Sequence, residues 1–505
     1  MASQTRNGGS TLISISRSGD YVVRIRDKEI AVHSAIPIEG TRFLQSSKLS
    51  EPLATQLKFV KISQPDVSEE SENKGNDNGG DEYPLELTSQ QRVICGSENR
   101  ISVWQINSLE WHANIENIEP SVTSVDFGAR DDEVLLFHAW SSKATIFNLD
   151  SARSLVIKSP KFCNPSSQGH GYRPRTRQLA ILLKPEATDL LTIHEAYSYE
   201  VITKVVLPTV DAQGLKWSPD GRWIAVWDVP SNGTKILIYT ADGQLFRTYS
   251  GPKEMESVHD LGIKCIEWAP LTRRNPNSEL LVVGKYDGTV ELLNTRTFTC
   301  STTLSHTFQI DTQSPMIWRE RMSPEGKLEY AEASSSSAFT TASSDSSNLP
   351  RGVSTLNFSH NGEFLATIDQ TRPNIVWIWS LGNPITLESA LVHDHNVRNI
   401  SWHPRAQELL ITTSNGTFAV AHVWSLDRNP VIAGIPVGRS EAGRYDVTWV
   451  IATARDEPET FWFCTPDDAV LGHVTVGNDG HGYFNMLHSV SKGDLMANIA
   501  GNYQA

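Results

Sequence analysis

The sequence predicts an all-β fold made of repeated four-stranded units. A phrase that begins at Trp217 and reads Trp-Ser-Pro-Asp-Gly-Arg-Trp-Ile-Ala recurs at Phe358 as Phe-Ser-His-Asn-Gly-Glu-Phe-Leu-Ala. Each copy reads as a strand that ends in an aromatic residue, a polar turn with glycine, and a new strand. An apolar run then ends at an aromatic residue, Tyr239 in one copy and Trp379 in the other. A period of roughly 40–45 residues with about four short strands is typical of β-propeller blades.

Weaker copies extend the repeat along most of the chain. They begin near Ile15, Phe127, Trp268 and Trp402, and they keep the order of a large apolar residue, polar turn and apolar strand. We therefore place units at about 9–50, 55–118, 121–160, 165–208, 210–251, 260–305, 351–392, 395–436 and 444–500, with a possible partial unit around 315–319.

The number of units predicts two tandem propellers, because one ring commonly holds about four to eight blades. We assign residues 1–305 to an N-terminal propeller, 306–350 to a Ser-rich linker or long loop, and 351–505 to a C-terminal propeller region. The last region holds only three clear units. It must contain unrecognised blades, borrow strands from the linker or the N-terminus, or stay open.

Charge is concentrated in one segment of the chain. The net charge is −14, and residues 64–83, within an acidic insertion at 63–88, carry seven acids against Lys74. Its Ser, Asn, Gly and Glu residues supply too little apolar surface for a core, so we expect 63–88, and likewise 331–349, to be disordered and dispensable for folding. A net-negative chain without a basic stripe is a poor nucleic-acid binder, so no nucleic-acid partner is expected.

Composition also indicates the cellular compartment in which we expect the protein. No apolar run is long enough to span a bilayer, and the N-terminus lacks the apolar core of a signal peptide, so we expect no membrane association and a cytosolic or nuclear protein. The five cysteines, Cys95, Cys163, Cys265, Cys300 and Cys464, are widely spaced and form no Cys-x-x-Cys pair. They predict neither a disulfide framework nor a cysteine zinc site.

One histidine-rich segment is a candidate for chemistry. His393-Asp-His-Asn396, followed by His403, could supply metal ligands. The preferred interpretation is structural hydrogen bonding, because His395 stands seven residues before the strand-ending Trp402. We therefore predict no metal-binding residue, no catalytic residue and no cofactor-binding residue.

Two other segments offer weak signals of binding. Gln168-Gly-His-Gly171 lacks the following helix that would hold a phosphate, and Arg173-Pro-Arg-Thr-Arg177 reads as a solvated turn. The chain lacks a nucleophile elbow, a phosphate-binding loop and a His-Glu-x-x-His motif. We expect a non-enzymatic protein that binds no small-molecule substrate.

The blade pattern resembles the WD-repeat family, in a degenerate form. The Trp-Asp pair that names the family is replaced at the third-strand ends by Val-Trp-Gln105, Ile-Trp-Ser380 and Val-Trp-Ser425. Trp227-Asp228 falls in a second strand, so we regard it as accidental. These losses leave individual hydrogen-bond networks in question without affecting the blade pattern.

Several longer phrases are similar to one branch of that family, the centrosomal and spindle-pole proteins encoded antisense to the p-seventy-three gene, or WD-repeat protein eight family. The similarity covers roughly 10–450 in the same order. It is absent from the acidic insertion, the Ser-rich break and the end after Trp449. The phrases are 109–115, 225–228, 235–239, 242–250, 261–264, 283–290 and 373–379.

The resemblance implies a cytoplasmic, cytoskeletal protein of the microtubule-organising centre, at a centrosome or spindle pole body. Such a scaffold acts with a coiled-coil partner to anchor microtubule minus ends and organise the mitotic spindle. A minus-end-directed kinesin and the γ-tubulin complex are further expected partners. We expect the affinity to come from loop aromatic and Arg side chains at a ring face or at the junction of the rings.

Two alternatives to this function remain open at the level of sequence. The first is a generic WD-repeat adaptor, such as a ubiquitin-ligase substrate receptor or a trafficking coat subunit. The second is a hydrolase in a propeller channel, which requires a converging acid and nucleophile. The repeat alignment also predicts that Trp217, Trp268, Phe358 and Trp402 are buried at equivalent positions of their blades.

Overall fold

The computed structural model describes most of the chain as β-strands joined by short turns. The described residues are 12–16, 19–26, 29–34, 44–48, 58–63, 91–106, 109, 111–138, 143–163, 168–252, 260–272, 277, 279–306, 316–333, 351–437, 445–450, 459–465 and 468–490. They divide between two compact units, Met1–Ser166 and Ser167–Ala505. In the described part of the chain, no helix has the length and apolar character needed to cross a lipid bilayer.

The first unit contains three four-stranded sheets among its described residues. The strands of each sheet are neighbours in sequence and pair antiparallel. The strands are β1 (Leu12–Ile15), β2 (Tyr21–Arg26), β3 (Glu29–Ser34) and β4 (Leu44–Lys48); β5 (Phe59–Ile62), β6 (Arg92–Gly96), β7 (Ile101–Gln105) and β8 (His112–Ile115); and β9 (Val122–Phe127), β10 (Glu133–His138), β11 (Lys143–Asn148) and β12 (Arg153–Lys158).

The second unit begins with three further sheets of the same kind. The order of the strands in each sheet again follows the sequence. A short 3₁₀ turn, Pro230–Asn232, follows β18. The strands are β13 (His170–Tyr172), β14 (Leu179–Leu183), β15 (Leu190–His194) and β16 (Val201–Val206); β17 (Gly214–Trp217), β18 (Trp223–Trp227), β19 (Ile236–Thr240) and β20 (Leu245–Tyr249); and β21 (Ile263–Trp268), β22 (Leu280–Lys285), β23 (Thr289–Asn294) and β24 (Thr299–Ser305).

The rest of the second unit contains one enlarged sheet and two four-stranded sheets. The enlarged sheet has the strand order β26-β25-β30-β29-β28-β27. The strands are β25 (Met316–Met322), β26 (Leu328–Glu332), β27 (Val353–Phe358), β28 (Phe364–Asp369), β29 (Ile375–Ser380) and β30 (Thr386–Val392); β31 (Val397–Trp402), β32 (Glu408–Thr413), β33 (Val420–Ser425) and β34 (Val431–Gly434); and β35 (Asp446–Trp449), β36 (Phe461–Cys464), β37 (Ala469–Val476) and β38 (Gly482–Val490).

Turn chemistry explains why neighbouring strands pair. Gly243 and Gly288 adopt φ values of 86° and 87° in the turns before β20 and β23, a region that costs an L-residue steric strain. Asp287 precedes the second glycine and accepts hydrogen bonds from the backbone N–H and hydroxyl of Thr289. Residues 242–243 and 287–288 therefore form the turns of the hairpins β19–β20 and β22–β23.

The core of the second unit lies between successive sheets. The middle strands are buried on both faces, as in β22 and β29, which is why they are continuous apolar runs. One hydrophobic cluster joins β18 and β19 to β21–β23, and the next joins β22 and β23 to β27–β30. Two more clusters connect β28–β30 with β31–β33, and β32–β34 with β35–β37.

A hydrogen bond recurs at the end of the first strand of four sheets. The indole N–H of the strand-ending Trp donates to a carbonyl in the first strand of the preceding sheet in the chain. The pairs are Trp217 to Gly171 (3.1 Å), Trp268 to Lys216 (3.3 Å), Trp402 to Asn357 (2.9 Å) and Trp449 to Ser401 (2.9 Å). Trp217, Trp268, Phe358 and Trp402 are all buried at this position, so the prediction from the repeat alignment is confirmed.

The nine predicted units each match one sheet of the described residues. The partial unit at 315–319 is the start of β25, which forms a hairpin rather than a blade. The expectation of disorder over 331–349 is wrong at its start, because Ala331 and Glu332 pair with Arg319 and Trp318. Residues 334–349, and all of 63–88 after Ser63, lie outside the described residues.

The all-β class and the four-stranded blade pattern agree with the prediction. The predicted linker at 306–350 lies within the second compact unit and includes hairpin β25–β26. The arrangement as two tandem rings, 1–305 and 351–505, stays a prediction.

Candidate functional site

Hairpin β25–β26 extends one blade beyond four strands. Strand β25 pairs in parallel with the outer strand β30, with Met316 opposite Ser389 and Arg319 opposite Val392. This pairing satisfies backbone groups that an outer strand otherwise leaves exposed. Side chains alternate along β25, so Ile317 joins the core on one face, while Trp318 joins the core shared with β31–β33 on the other. The hairpin is thus part of the packed structure.

The hairpin brings Glu320 and Tyr330 against two histidines. Glu320 and Tyr330 lie on β25 and β26, His393 follows β30, and His422 lies within β33. The Tyr330 hydroxyl is 3.3 Å from His393 Nδ1 and 3.1 Å from His422 Nδ1. The Glu320 carboxylate is 3.7 Å from His393 Nδ1 and accepts a 3.1 Å hydrogen bond from the backbone N–H of Asp394. We call Glu320, Tyr330, His393 and His422 the buried His–Glu cluster.

Burial sets the charges in this cluster. Burial, together with neighbouring His393, lowers the pKa of His422 to about 3, so this imidazole is neutral at pH 7. Burial opposes ionisation of Glu320, but hydrogen bonding to His393 and Asp394 and proximity to His422 outweigh it and lower its pKa to about 2. Burial, assisted by Glu320, raises the pKa of Tyr330. The cluster therefore holds an ionised carboxylate within the core.

A second histidine network, formed around His306, connects the blade β21–β24 with the blade β27–β30. His306 follows β24 and lies 2.6 Å from the Gly288 carbonyl through Nδ1 and 2.8 Å from Thr367 Oγ1 through Nε2. Thr367 Oγ1 also accepts a 3.0 Å hydrogen bond from the indole of Trp379. This His–Thr–Trp network is complete, although the Trp-Asp signature is not.

The strand register shows how the sheet β31–β34 differs from the sheet β27–β30 at this position. Thr367 faces Trp377 across β28 and β29, and the corresponding pair across β32 and β33 is Ile411 and His422. The hydroxyl that His306 uses is therefore replaced by an isoleucine. Like His306, His393 directly follows the fourth strand of its blade, but it meets the Tyr330 hydroxyl of the inserted hairpin instead.

The histidines singled out in the sequence separate in the structure. His393 is buried in the His–Glu cluster, whereas His395 is exposed. The prediction of a structural role for His395 is therefore wrong, because the chain turns this side chain outward just before β31. His393 is the histidine of this segment that makes buried contacts. His403 lies elsewhere, with Nε2 2.7 Å from Glu459 and its ring edge-on to Trp449.

A small cavity lies beside His403, next to its contact residues Trp449 and Glu459. Its volume is about 240 Å³, and its walls include Glu408, Arg428, Trp449 and Glu459. Arg428 already forms a 2.9 Å ion pair with Glu408. Burial raises the pKa of Glu408 despite this pairing. The cavity is small for an organic ligand, since such sites typically occupy roughly 300–1,000 Å³.

The other two sequence candidates are part of the blades. The Gln168 carbonyl accepts from Leu215 N–H (2.7 Å), and His170 and Gly171 lie in β13. Arg173 donates to the Gly221 carbonyl (2.8 Å) and its guanidinium lies 5.7 Å from the Trp217 ring centroid. Neither segment is arranged as a phosphate-binding loop.

Lys285 forms a buried ionic cluster in another blade. Its ammonium lies 3.2 Å from Glu291, 3.4 Å from Asp260 and 3.5 Å from Asp287. Burial disfavours its charge, but the three carboxylates together raise its pKa. Tyr249 donates to Glu291 at 2.9 Å. These mutual contacts fix the loops before β21 and β23 and leave the ammonium fully paired.

The outer strand β16 displays an apolar surface. Val201, Ile202 and Val206 are 58%, 46% and 64% exposed, and Val210 beyond the strand is 66% exposed. Thr203 Oγ1 donates to the Asp242 carbonyl (3.1 Å), which brings β16 beside the turn leading to β20, where Leu245 and Phe246 are also exposed. This surface was not predicted from the sequence. A signal was present, because Val-Ile-Thr-Lys-Val-Val contains adjacent apolar residues, and side chains that alternate between two faces of a strand cannot all be buried on one face.

Comparisons with known proteins agree with the repeat pattern. No protein-family model matches the chain. WD repeat-containing protein WRAP73 of Mus musculus is 26% identical over 358 residues, which cover 66% of this chain and 73% of that protein. A WD repeat-containing protein of Schizosaccharomyces pombe is 26% identical over 404 residues, which cover 77% of this chain and 79% of that protein. The WD-repeat resemblance predicted from the sequence is confirmed.

Solved structures give weaker likenesses. The C-terminal WD40 domain of Sif2 is 11% identical with a TM-score of 0.43, covering 81% of this chain and 94% of that chain. Kluyveromyces lactis Hsv2 is 12% identical with a TM-score of 0.38, covering 73% and 98%. The computationally designed Ika8 is 13% identical with a TM-score of 0.41, covering 84% and 98%. The fold assignment therefore rests on the strand topology.

Proposed function

We propose that this WD-repeat protein, a relative of mouse WRAP73, is a scaffold of the microtubule-organising centre. The coarser assignment, a WD-repeat propeller protein of the scaffold or adaptor type, follows from the blade topology and the WD-repeat relatives. The proposal adds a location at the centrosome or spindle pole body. It also adds a role with a coiled-coil partner in anchoring minus ends and organising the spindle.

The observation that carries the proposal is the similarity to WRAP73 over 66% of the chain. The phrases that suggested the spindle-pole family lie largely in strands, for example 235–239 in β19 and 373–379 in β29. Most of these residues pack in the core, so they support kinship and not a particular binding surface. The partner-binding surface has to be sought among exposed residues.

We assign the coiled-coil contact to the exposed apolar side chains of β16. Exposed aliphatic groups on one strand match the apolar stripe of a helix, which is the chemistry by which a coiled-coil protein packs. Burying them on a partner offsets the cost of leaving them in water. This differs from the loop aromatic and Arg contacts expected from the sequence.

The contact can be tested in the full-length chain. A Val201→Glu, Val206→Glu double variant places two charges in the surface, whereas Val156→Glu places a charge on an equally accessible outer strand, β12 (Val156 is 48% exposed). We expect the double variant to fold but to lose the coiled-coil partner in pull-downs from mitotic cells. Equal recovery of the partner with wild type and the double variant would rule out β16.

Location gives an independent test of the function. Fluorescently tagged chain should concentrate at spindle poles, and its deletion should release microtubule minus ends. An even distribution with normal spindles would contradict the proposal. Recovery of ubiquitin-ligase or coat subunits, without γ-tubulin-complex or coiled-coil pole proteins, would favour the generic adaptor instead.

The tandem arrangement belongs to the same proposal. Two rings, 1–305 and 351–505 joined by the Ser-rich segment, would offer separate platforms to a coiled-coil protein and to a kinesin or the γ-tubulin complex. Single-particle images of the purified chain should show two rings. A single closed ring would remove this part of the proposal without affecting the scaffold role.

A further inference from the structure

The buried His–Glu cluster has the composition of a metal centre. One ligand atom from each of Glu320, His393 and His422 lies within 4.8 Å of the other two, and all three residues are buried. Imidazole nitrogen and carboxylate oxygen are common zinc ligands, and a His₂Glu set is a known combination. The three residues come from β25, the turn after β30 and β33, so only the folded chain brings them together.

We propose that Glu320, His393 and His422 bind a divalent transition-metal ion, Zn²⁺ by ligand preference, and that this ion fastens hairpin β25–β26 to sheet β31–β34. The proposal departs from the sequence-based expectation of no metal-binding residue. It is independent of the spindle-pole function, since the ion would act on the fold of the blade.

Distances within the cluster are close to those of a bound site. Zinc bonds of about 2.0–2.2 Å place tetrahedral ligand atoms roughly 3.3–3.5 Å apart. His393 Nδ1 and Glu320 Oε2 are separated by 3.7 Å, and the Tyr330 oxygen is 3.1–3.3 Å from both Nδ1 atoms. Since the three ligand atoms lie within 4.8 Å of one another, side-chain movements of about an ångström would bring them to coordination distance.

Charge in the cluster favours a cation. The carboxyl group of Glu320 is only 2% exposed and lies beside two buried imidazoles. Isolated ionised carboxylates are costly inside a protein unless they are paired or bind a metal. A divalent ion would neutralise the carboxylate and coordinate the lone pairs of both imidazoles.

Hydrogen bonding among the described residues leaves the imidazoles incompletely satisfied. Tyr330 has one hydroxyl proton, so it can donate to only one of the two Nδ1 atoms that face it. The other imidazole must then donate from Nδ1, which moves its lone pair to Nε2. The Nε2 atoms of both His393 and His422 are buried without a hydrogen-bond partner among the described residues. A metal ion bound at both Nδ1 atoms would use the two lone pairs that the single Tyr330 proton cannot satisfy together.

The test uses the purified full-length chain. Protein is loaded with Zn²⁺, dialysed against metal-free buffer and analysed for metal by mass spectrometry. We expect about one ion per chain in the wild type. Glu320→Gln and His422→Gln should lose it, because each removes a ligand. His395→Ala is the matched control, since this exposed histidine lies two residues from His393 and should leave the metal content unchanged.

Cobalt supplies a second readout of the same site. Co²⁺-loaded wild type and His395→Ala should show the intense visible absorption of a tetrahedral nitrogen and oxygen site, and the Glu320→Gln chain should not. A wild type without retained metal would overturn the proposal. Equal metal in wild type and both ligand variants would also overturn it, because the ion would then lie elsewhere.

Hydrogen exchange on the wild type covers the case in which the ligand variants fail to fold. If the ion fastens the hairpin, Zn²⁺ at about a hundred times its Kd should slow exchange of amides in 316–332 by up to about a hundredfold, and a chelator should reverse this. Unchanged exchange in that segment on adding and removing Zn²⁺ would show that the cluster is a hydrogen-bonded network without a metal role.

Discussion

Replacing Trp402 by Phe should destabilise the second unit by removing one recurring contact between blades. The Trp402 indole donates to the Asn357 carbonyl at 2.9 Å, and its ring packs against Phe364 and Trp424. A lost hydrogen bond costs about 1 kcal/mol, and the smaller ring loses further packing, so we expect a total of about 2 kcal/mol. Trp402→Ala should cost about 3–5 kcal/mol, because it also leaves a cavity.

The measurement is urea unfolding of the full-length chain, followed by far-ultraviolet circular dichroism. Phe358 occupies the equivalent position in the preceding blade and is also buried, so Trp402→Phe should leave the fold intact. Phe418→Leu is the control, because this side chain is 45% exposed and its loss should change stability by less than about 0.5 kcal/mol. A Trp402→Phe chain as stable as the wild type, or a control equally damaged, would refute the role of the inter-blade contact.

Two further predictions concern the buried histidines. Thr367→Val keeps the side-chain shape but removes the hydroxyl that donates to His306 Nε2 and accepts from the Trp379 indole, so calorimetry should show a loss of about 1–3 kcal/mol; an unchanged Tm would contradict this. Burial lowers the pKa of His194 despite its hydrogen bond to the Tyr199 carbonyl. The unfolded chain therefore binds more protons below pH about 6.5, so stability should fall as pH decreases from there. His194→Gln should flatten this decrease in urea titrations at several pH values, and an unchanged slope would assign it to other groups.

The blade boundaries could be predicted because their causes are local. Gly243 and Gly288 mark turns through their backbone conformation, and Trp217, Trp268 and Trp402 mark strand ends through burial. Both signals lie within a few residues of the feature they define. They repeat along the chain, which strengthens each individual assignment.

The His–Glu cluster could not be predicted in the same way, because its residues meet through nonlocal pairing. Strand β25 joins β30 in parallel across about seventy intervening residues. The sequence around Glu320 predicts part of a Ser-rich linker, and His422 lies within the buried strand Val-Ala-His-Val-Trp-Ser. A usable signal was the position of His422, since its alignment with Trp377 places it at an inward-facing site where a polar ring needs a partner.

The β16 surface shows a second limit of pattern reading. Val201, Ile202 and Val206 are typical strand residues, and their chemistry predicts a core position. The sequence does not reveal that β16 is an outer strand whose exposed face has no partner sheet in the described residues. Exposure at these positions depends on the order of strands within the blade.

Proximity labelling of the tagged full-length chain in mitotic cells tests the scaffold claim most directly. We expect labelling of coiled-coil proteins of the spindle pole and of γ-tubulin-complex subunits. The Val201→Glu, Val206→Glu chain should lose the coiled-coil partner, and the Val156→Glu chain should keep it. Labelling confined to ubiquitin-ligase or vesicle-coat subunits, with no spindle-pole protein above background, would contradict the assignment to the microtubule-organising centre.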